Sequence, residues 1–436
     1  MANKHINEII KGASSALVIK IVSAGVTFLF YLYLGRVLGA ESAGIFFLGL
    51  TVLTIGSVIG RFGLENTVLR IVAKESYNNN WGLILSSHKK CMQIAFVFSL
   101  FTAMGVFFTS EALSVILFSS TEMVIHLEVI SISIVPLALS VVNAQAIQGL
   151  KRIKESTIIL NLSVPLIALI GAMILISKYS VLGVVIAYTV SIILTYFASL
   201  YLWKKIIPKD VCINKTYETK KILDSCIPLF WVSVMQMTIN WLSFIVLGIY
   251  STEADVGVLG MAIRVVTLMG FFLMAVNSIT APKIAEMYKS NNHSALENMC
   301  RSASTILLYI TLPFGLIIFI FADTVLGLFG SEFLDHANVL QILVFGQFAN
   351  IITGSVGILL IMSGNEKVMR NNLFITMLLC IVMNIVLIPE YGLVGAAISF
   401  SLSMAIQNII SLYKVKKIMN IYTLPFINPL KVIKGV

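Results

Sequence analysis

Apolar runs of about 20 residues recur from one end of the chain to the other, separated by short clusters of charge, Gly and Pro. A helix of that length crosses a hydrocarbon core of about 30 Å. Twelve such spans are predicted, at approximately 13–37, 43–69, 91–110, 123–149, 156–177, 181–203, 226–250, 256–282, 302–322, 338–362, 372–389 and 392–413. The apolar–polar alternation of a transmembrane barrel is absent from them. Lipid offers the backbone no hydrogen-bond partner, so each run must satisfy its own N–H and C=O groups as a helix. The pattern predicts an all-α integral membrane protein with no separate soluble domain.

Composition agrees, and charge adds orientation. The 436 residues are 58% hydrophobic and 11% charged, where a soluble domain carries about 25% charged residues. A net charge of +10 would by itself suit an anionic partner such as nucleic acid. Its distribution gives another reason for it. With the N-terminus inside, Lys and Arg crowd the inner loops and the C-terminal tail. Only Arg36 and Lys178 fall outside, and Lys20, Arg61 and Arg264 lie within spans. Basic residues resist translocation, so this asymmetry puts both termini in the cytoplasm, and no nucleic-acid partner is expected. The polar start MANKHINEIIKG reads as an uncleaved cytoplasmic end. Cys91, Cys212, Cys226, Cys300 and Cys380 are scattered, as are the five histidines, so unpaired thiols and no metal site are expected. The outer loops are short, and the chain shows no nucleophile or phosphate-loop motif. An enzyme is not expected, nor a cofactor.

The sequence also repeats. LGRVLGAESAGIF at Leu34 resembles LGIYSTEADVGVL at Leu247; QGLKRIKEST at Gln148 resembles SGNEKVMRNN at Ser363; YSVLGVVIAY at Tyr179 resembles YGLVGAAISF at Tyr391. The offsets are 213, 215 and 212. Two six-helix bundles, 1–203 and 226–413, are therefore predicted, joined by a cytoplasmic linker at 204–225 and followed by a tail at 414–436. An even number of spans gives both halves one orientation, an arrangement shared by rocking transporters with a site between their halves. One chain already supplies both halves, so a monomer is expected.

Polar residues fall in stripes on particular spans. Thr54, Ser57, Arg61 and Glu65 follow i, i+3, i+7 and i+11, which predicts one helical face. Lys20, Ser23 and Thr27 form a stripe on span 1, and Ser233, Gln236, Asn240 and Ser243 form its counterpart on span 7. Arg264 shares a face of span 8 with Gly257 and Gly260, and counting at about 1.5 Å per residue puts it near mid-membrane. A guanidinium there costs at least roughly 2.5–3.5 kcal/mol, so it should face protein or water. Simpler roles compete for the others: snorkelling for Lys20, an i,i+4 ion pair for Arg61 with Glu65, and helix–helix bonding for Gln236 and Asn240. Pro136, Pro165 and Pro313 should kink their helices and free backbone carbonyls. Trp203, Trp231 and Trp241 read as interfacial or packing residues.

LGAESAGIFFLGL after span 1, GRFGLENTVLRIVAK at the end of span 2 and IQGLKRIKEST after span 4 resemble the polysaccharide-biosynthesis flippases. These include the O-antigen (Wzx-type) flippases of the MATE-like MOP exporter superfamily. The resemblance covers nearly the whole chain. It implies a V-shaped pair of six-helix bundles in the bacterial cytoplasmic (inner) membrane, turning an undecaprenyl-diphosphate-linked oligosaccharide from the inner to the outer leaflet by alternating access. It further implies coupling to H+ or Na+, and work alongside membrane lipid, a polysaccharide polymerase and a chain-length regulator. Arg264, Arg61 and Lys20 would meet the anionic cargo, Gln236 and Asn240 its sugars, and Glu65 the coupling ion. A cation-coupled multidrug exporter of the MATE type is the alternative reading. It would favour an acidic cavity, whereas the embedded charges are mostly basic.

Overall fold

The computed structural model describes residues 2–208, 216–290 and 292–425, with side chains from residue 16 onward apart from Pro282. Residues 209–215 of the expected linker, Cys212 among them, and residues 426–436 of the expected tail lie outside the described residues.

Every regular element among the described residues is helical. Counting helices of at least seven residues, they are α1 (Ala2–Arg61), α2 (Leu64–Tyr77), α3 (Trp81–Phe108), α4 (Met123–Gly149), α5 (Ser163–Ile206) and α6 (Thr219–Tyr250). The second part of the chain forms α7 (Glu253–Lys289), α8 (His293–Ile320), α9 (Ala337–Thr353), α10 (Val356–Met362) and α11 (Glu366–Met419). Eight helices among the described residues are long and apolar enough to cross a membrane, or nine with the pair Ser331–Thr353 and Val356–Met362 taken as one span bent by 42°. The chain is a multi-pass membrane protein. Three of its long helices, α1, α5 and α11, are each two helices joined at a non-helical residue: Gly39, Ser180 and Gly392.

The sequence repeat reappears as repeated backbone geometry. Ser180 (φ 50°, ψ −130°) and Gly392 (φ 52°, ψ −127°) carry nearly the same break, 212 positions apart. Three residues after each comes a glycine, Gly183 or Gly395, whose missing Cβ lets the chain pass the carbonyl of Leu175 or Leu387. Lys151 and Gly364 also share positive φ, at 64° and 78°. They lie 213 positions apart, closer to the other offsets than the sequence match at 215.

The helices form two compact units, Met1–Leu38 with Ser42–Met237, and Gly39–Glu41 with Thr238–Val436. The division falls inside α6, between Met237 and Thr238, and not in the 204–225 linker. Local packing gives the reason. Gly63 lies against the backbone of Cys226 and Phe230, and Phe62 meets the Phe230 ring at 4.7 Å, so the first half of α6 belongs to the first unit. In the second unit, Glu332 Oε2 accepts from the Ala40 amide at 2.6 Å. A carboxylate at a helix start satisfies an orphan N–H and complements the dipole. Gly39 (φ 79°) makes room for it, since a Cβ there would strike Glu332.

The first unit's core joins Leu64, Val68 and Val72 of α2 to Ile84 and Cys91 of α3, Val142 and Ala146 of α4, and Ile222 of α6. The second unit packs Ile284, Leu296 and Cys300 on Val356, Leu359 and Val415. Cys91, Cys226, Cys300 and Cys380 are free and buried.

The bends arise only in part from proline. The bend in the tenth predicted span comes at Gly354 (φ 69°), not at a proline. Pro165 frees a backbone carbonyl, as expected. A short π-helical stretch, Ile158–Leu162, precedes it, and the Asn161 carbonyl, which Pro165 cannot serve, accepts instead from the Ser23 hydroxyl.

Candidate functional site

The six residues singled out from the sequence fall into two groups, one in each unit. Lys20, Arg61, Glu65 and Gln236 belong to the first unit, Asn240 and Arg264 to the second.

In the first unit the expected continuous stripe is broken. α1 stops at Arg61, and Phe62 (φ 50°) and Gly63 (φ 73°) turn the chain before α2 starts at Leu64. Arg61 and Glu65 therefore do not share one helical face, and they are not an i,i+4 pair. The left-handed turn is possible at Gly63 because glycine pays no Cβ penalty, and it sets Glu65 in the first turn of α2, where the helix dipole favours a carboxylate. Glu65 is only 7% exposed. Its Oε1 accepts from the Ser233 hydroxyl of α6 at 3.1 Å. Oε2 has no hydrogen-bond partner among the described residues, nor does Arg61 Nε. Arg61 is half-buried and lies within electrostatic reach of Glu65. The structure thus brings together Glu65 and Ser233, which the sequence put on separate stripes.

The rest of the polar stripe is largely structural. Ser23 serves the Asn161 carbonyl, and Thr54 Oγ1 bonds back to the Leu50 carbonyl at 2.8 Å. Lys20 is half-buried on the same helix. Trp203 stacks on the buried His88 ring, centroids 3.9 Å apart. His88 Nε2 meets Asn143 Oδ1 at 2.9 Å, and Asn143 Nδ2 donates to Ser199 Oγ at 3.1 Å. This network ties α3, α4 and α5 together and was not legible in the sequence, which shows only a lone histidine. Among the described residues no three of His, Cys, Asp and Glu come together as a metal site would require.

The second unit contains a cavity of about 400 Å³. Arg264 and Thr267 of α7 line it together with Asn240 of α6 and Gln347 of α9. Trp241, Phe244, Phe271 and Phe400 supply aromatic walls. Trp241, expected at an interface or in packing, lines this cavity and packs on Phe244, ring centroids 5.5 Å apart. Gln347 escaped the sequence reading because single amides in apolar runs look alike. Gln341, six residues earlier on α9, donates to the Phe319 carbonyl at 3.1 Å.

A guanidinium, two carboxamides and aromatic rings make a cavity suited to a polar anionic head bearing hydroxyls. It offers no nucleophile paired with a base.

Comparison with known proteins gives a consistent picture. The family described as "Polysaccharide biosynthesis protein" matches residues 9–288, and the MatE family matches residues 228–386. A probable low-salt glycan biosynthesis flippase, Agl15 of Haloferax volcanii, is 27% identical over 172 residues, 39% of this chain and 36% of that protein. The capsular polysaccharide biosynthesis protein CapF of Staphylococcus aureus is 27% identical over 173 residues, 39% of this chain and 41% of its own length. Both matches thus take in well under two thirds of the relative. Among solved structures, the lipid II flippase MurJ in an inward closed conformation superposes with a TM-score of 0.75 at 17% identity, covering 95% of this chain and 89% of that one. An inward-facing multidrug resistance MATE family transporter of the MOP superfamily gives 0.74 at 16% identity, covering 94% and 98%. At these identities the likeness shows the fold, which is that of the MATE-like transporters.

Proposed function

Because this chain belongs to the polysaccharide biosynthesis protein family, we propose that it is a flippase that carries an undecaprenyl-diphosphate-linked oligosaccharide from the inner to the outer leaflet of the bacterial cytoplasmic membrane. The observation that carries this reading is the cavity around Arg264, Asn240 and Gln347. A diphosphate presents fixed negative charge and a glycan presents hydroxyls. A guanidinium pairs with the first and carboxamides with the second. The polyprenyl tail needs no pocket, since it stays in lipid. Transport requires the loaded site to open to each side of the membrane in turn, and no bond is made or broken.

The reading includes twelve spans with both termini cytoplasmic, a monomer, and hand-over of the glycan to a polymerase under a chain-length regulator. Arg61 and Lys20 attract the anionic head, and Gln236 bonds its sugars. Glu65 takes the coupling H+ or Na+: its second oxygen has no hydrogen-bond partner among the described residues, and a cation there would complete its charge.

Arg264→Ala tests the reading. The variant is expected to insert normally and to lose surface polysaccharide almost completely in cells that depend on it. Wild-type polysaccharide with the variant at normal membrane abundance would remove Arg264 from the site.

The MatE match over residues 228–386 supports a second reading, export of cationic drugs. The lining of the second unit's cavity speaks against it, because its charged member is the cation Arg264, which repels such cargo.

A further inference from the structure

Arg264 supplies the charge of the second unit's cavity, and Gln347 is a side chain there that can choose among neutral groups. Gln347 lines that cavity while only 4% exposed, and its carboxamide has no hydrogen-bond partner among the described residues. A carboxamide that meets a cavity instead of a protein partner can bond a ligand placed there. The neighbouring backbone leaves it space. A Cβ at Gly270 would come within 3.0 Å of Gln347 Nε2, and glycine there leaves the carboxamide its room.

The remaining lining narrows the ligand. A diphosphate by itself is best served by several cations, and the lining residues include one, Arg264. Beside it stand the amides of Asn240 and Gln347 and the tilted rings of Trp241 and Phe244. Amides donate to and accept from hydroxyl and acetamido groups. Aromatic faces cover the apolar C–H face of a pyranose while leaving its rim to polar groups. At about 400 Å³ the cavity lies toward the small end of ligand pockets, roughly 300–1,000 Å³, which fits one sugar ring better than a whole repeat unit.

We propose that this cavity is a sugar subsite. It takes the pyranose that adjoins the diphosphate, Gln347 reads the hydroxyl or acetamido pattern of that ring, and Arg264 holds the neighbouring phosphate. The inference rests on the flippase reading and adds to it a residue that selects cargo.

Binding to the purified full chain in lipid nanodiscs separates the two. The probes are undecaprenyl diphosphate alone and the same lipid carrying N-acetylglucosamine, galactose or glucuronate. Gln347→Leu, close in size but apolar, is expected to weaken at least one glycosylated probe about tenfold while leaving the bare diphosphate lipid within about twofold. Gly270→Ala, which crowds the carboxamide without removing it, is expected to do the same in milder degree. Retained binding of the bare lipid shows that each variant is folded. If neither variant discriminates between bare and glycosylated lipid, the sugar subsite is overturned and the flippase reading stands. If the unaltered chain binds none of the probes, the flippase reading fails and the subsite falls with it.

Discussion

A carboxylate buried among apolar helices stays charged only where donors and cations compensate its lost hydration. Glu65 has one such donor, Ser233 Oγ, and one nearby cation, Arg61. Its second oxygen has no hydrogen-bond partner among the described residues, and that is the physical basis for giving it the coupling ion. Glu65→Gln keeps the shape and an oxygen facing Ser233 but removes the charge that would bind H+ or Na+. The variant is expected to transport with a dependence on the imposed gradient reduced about tenfold, measured in proteoliposomes with the proton and sodium gradients set separately. Undiminished dependence would leave Glu65 as a packing partner of Ser233. At this scale the sequence was legible where physics made a residue conspicuous. A guanidinium deep in a membrane span announces itself, and Arg264 does line a cavity. Trp241 and Gln347 did not announce themselves, because a tryptophan or a lone amide in an apolar span has the same sequence signature whether it packs, bonds a helix or faces a ligand.

The junction between α1 and α2 shows why faces counted along a sequence fail at a helix break. The i, i+4 spacing of Arg61 and Glu65 assumes unbroken helical dihedrals, and Phe62 and Gly63 both take positive φ. GRFG gave a hint, since glycine is the residue that adopts such a turn without strain. Gly63 also faces the Cys226 carbonyl and the Phe230 amide, where a Cβ would lie 2.5 and 2.6 Å away. Gly63→Ala therefore meets both a left-handed dihedral that strains an L side chain and backbone that cannot yield. It is expected to destabilise the first unit by about 2–4 kcal/mol, seen as a lowered melting temperature in detergent. Gly105→Ala is the control, with nothing within 4 Å of its Cβ; it should melt no lower than the unaltered chain, because alanine favours a helix. An unchanged melting temperature for Gly63→Ala would mean that the break is not fixed by this turn. The repeat, by contrast, was legible in large part: the Tyr179 and Tyr391 matches bracket Ser180 and Gly392, whose backbone breaks agree within a few degrees, while the match at offset 215 gives way to a spacing of 213 between Lys151 and Gly364.

Over the whole molecule, apolar run length sufficed to read an all-α multi-pass membrane protein, because the bilayer leaves few alternatives. The unit boundary inside α6 was not legible, since it depends on the Phe62, Gly63 and Glu65 contacts that only tertiary structure reveals. The proposed cargo is an anionic glycolipid and not a cationic drug. The most direct test is transport by the purified chain in proteoliposomes, offered a fluorescent undecaprenyl-diphosphate-linked oligosaccharide in one arm and ethidium in the other. The glycolipid is expected to reach the opposite leaflet at a rate well above that of protein-free vesicles while ethidium stays put. Gradient-driven ethidium movement with a stationary glycolipid would make the chain a drug exporter instead.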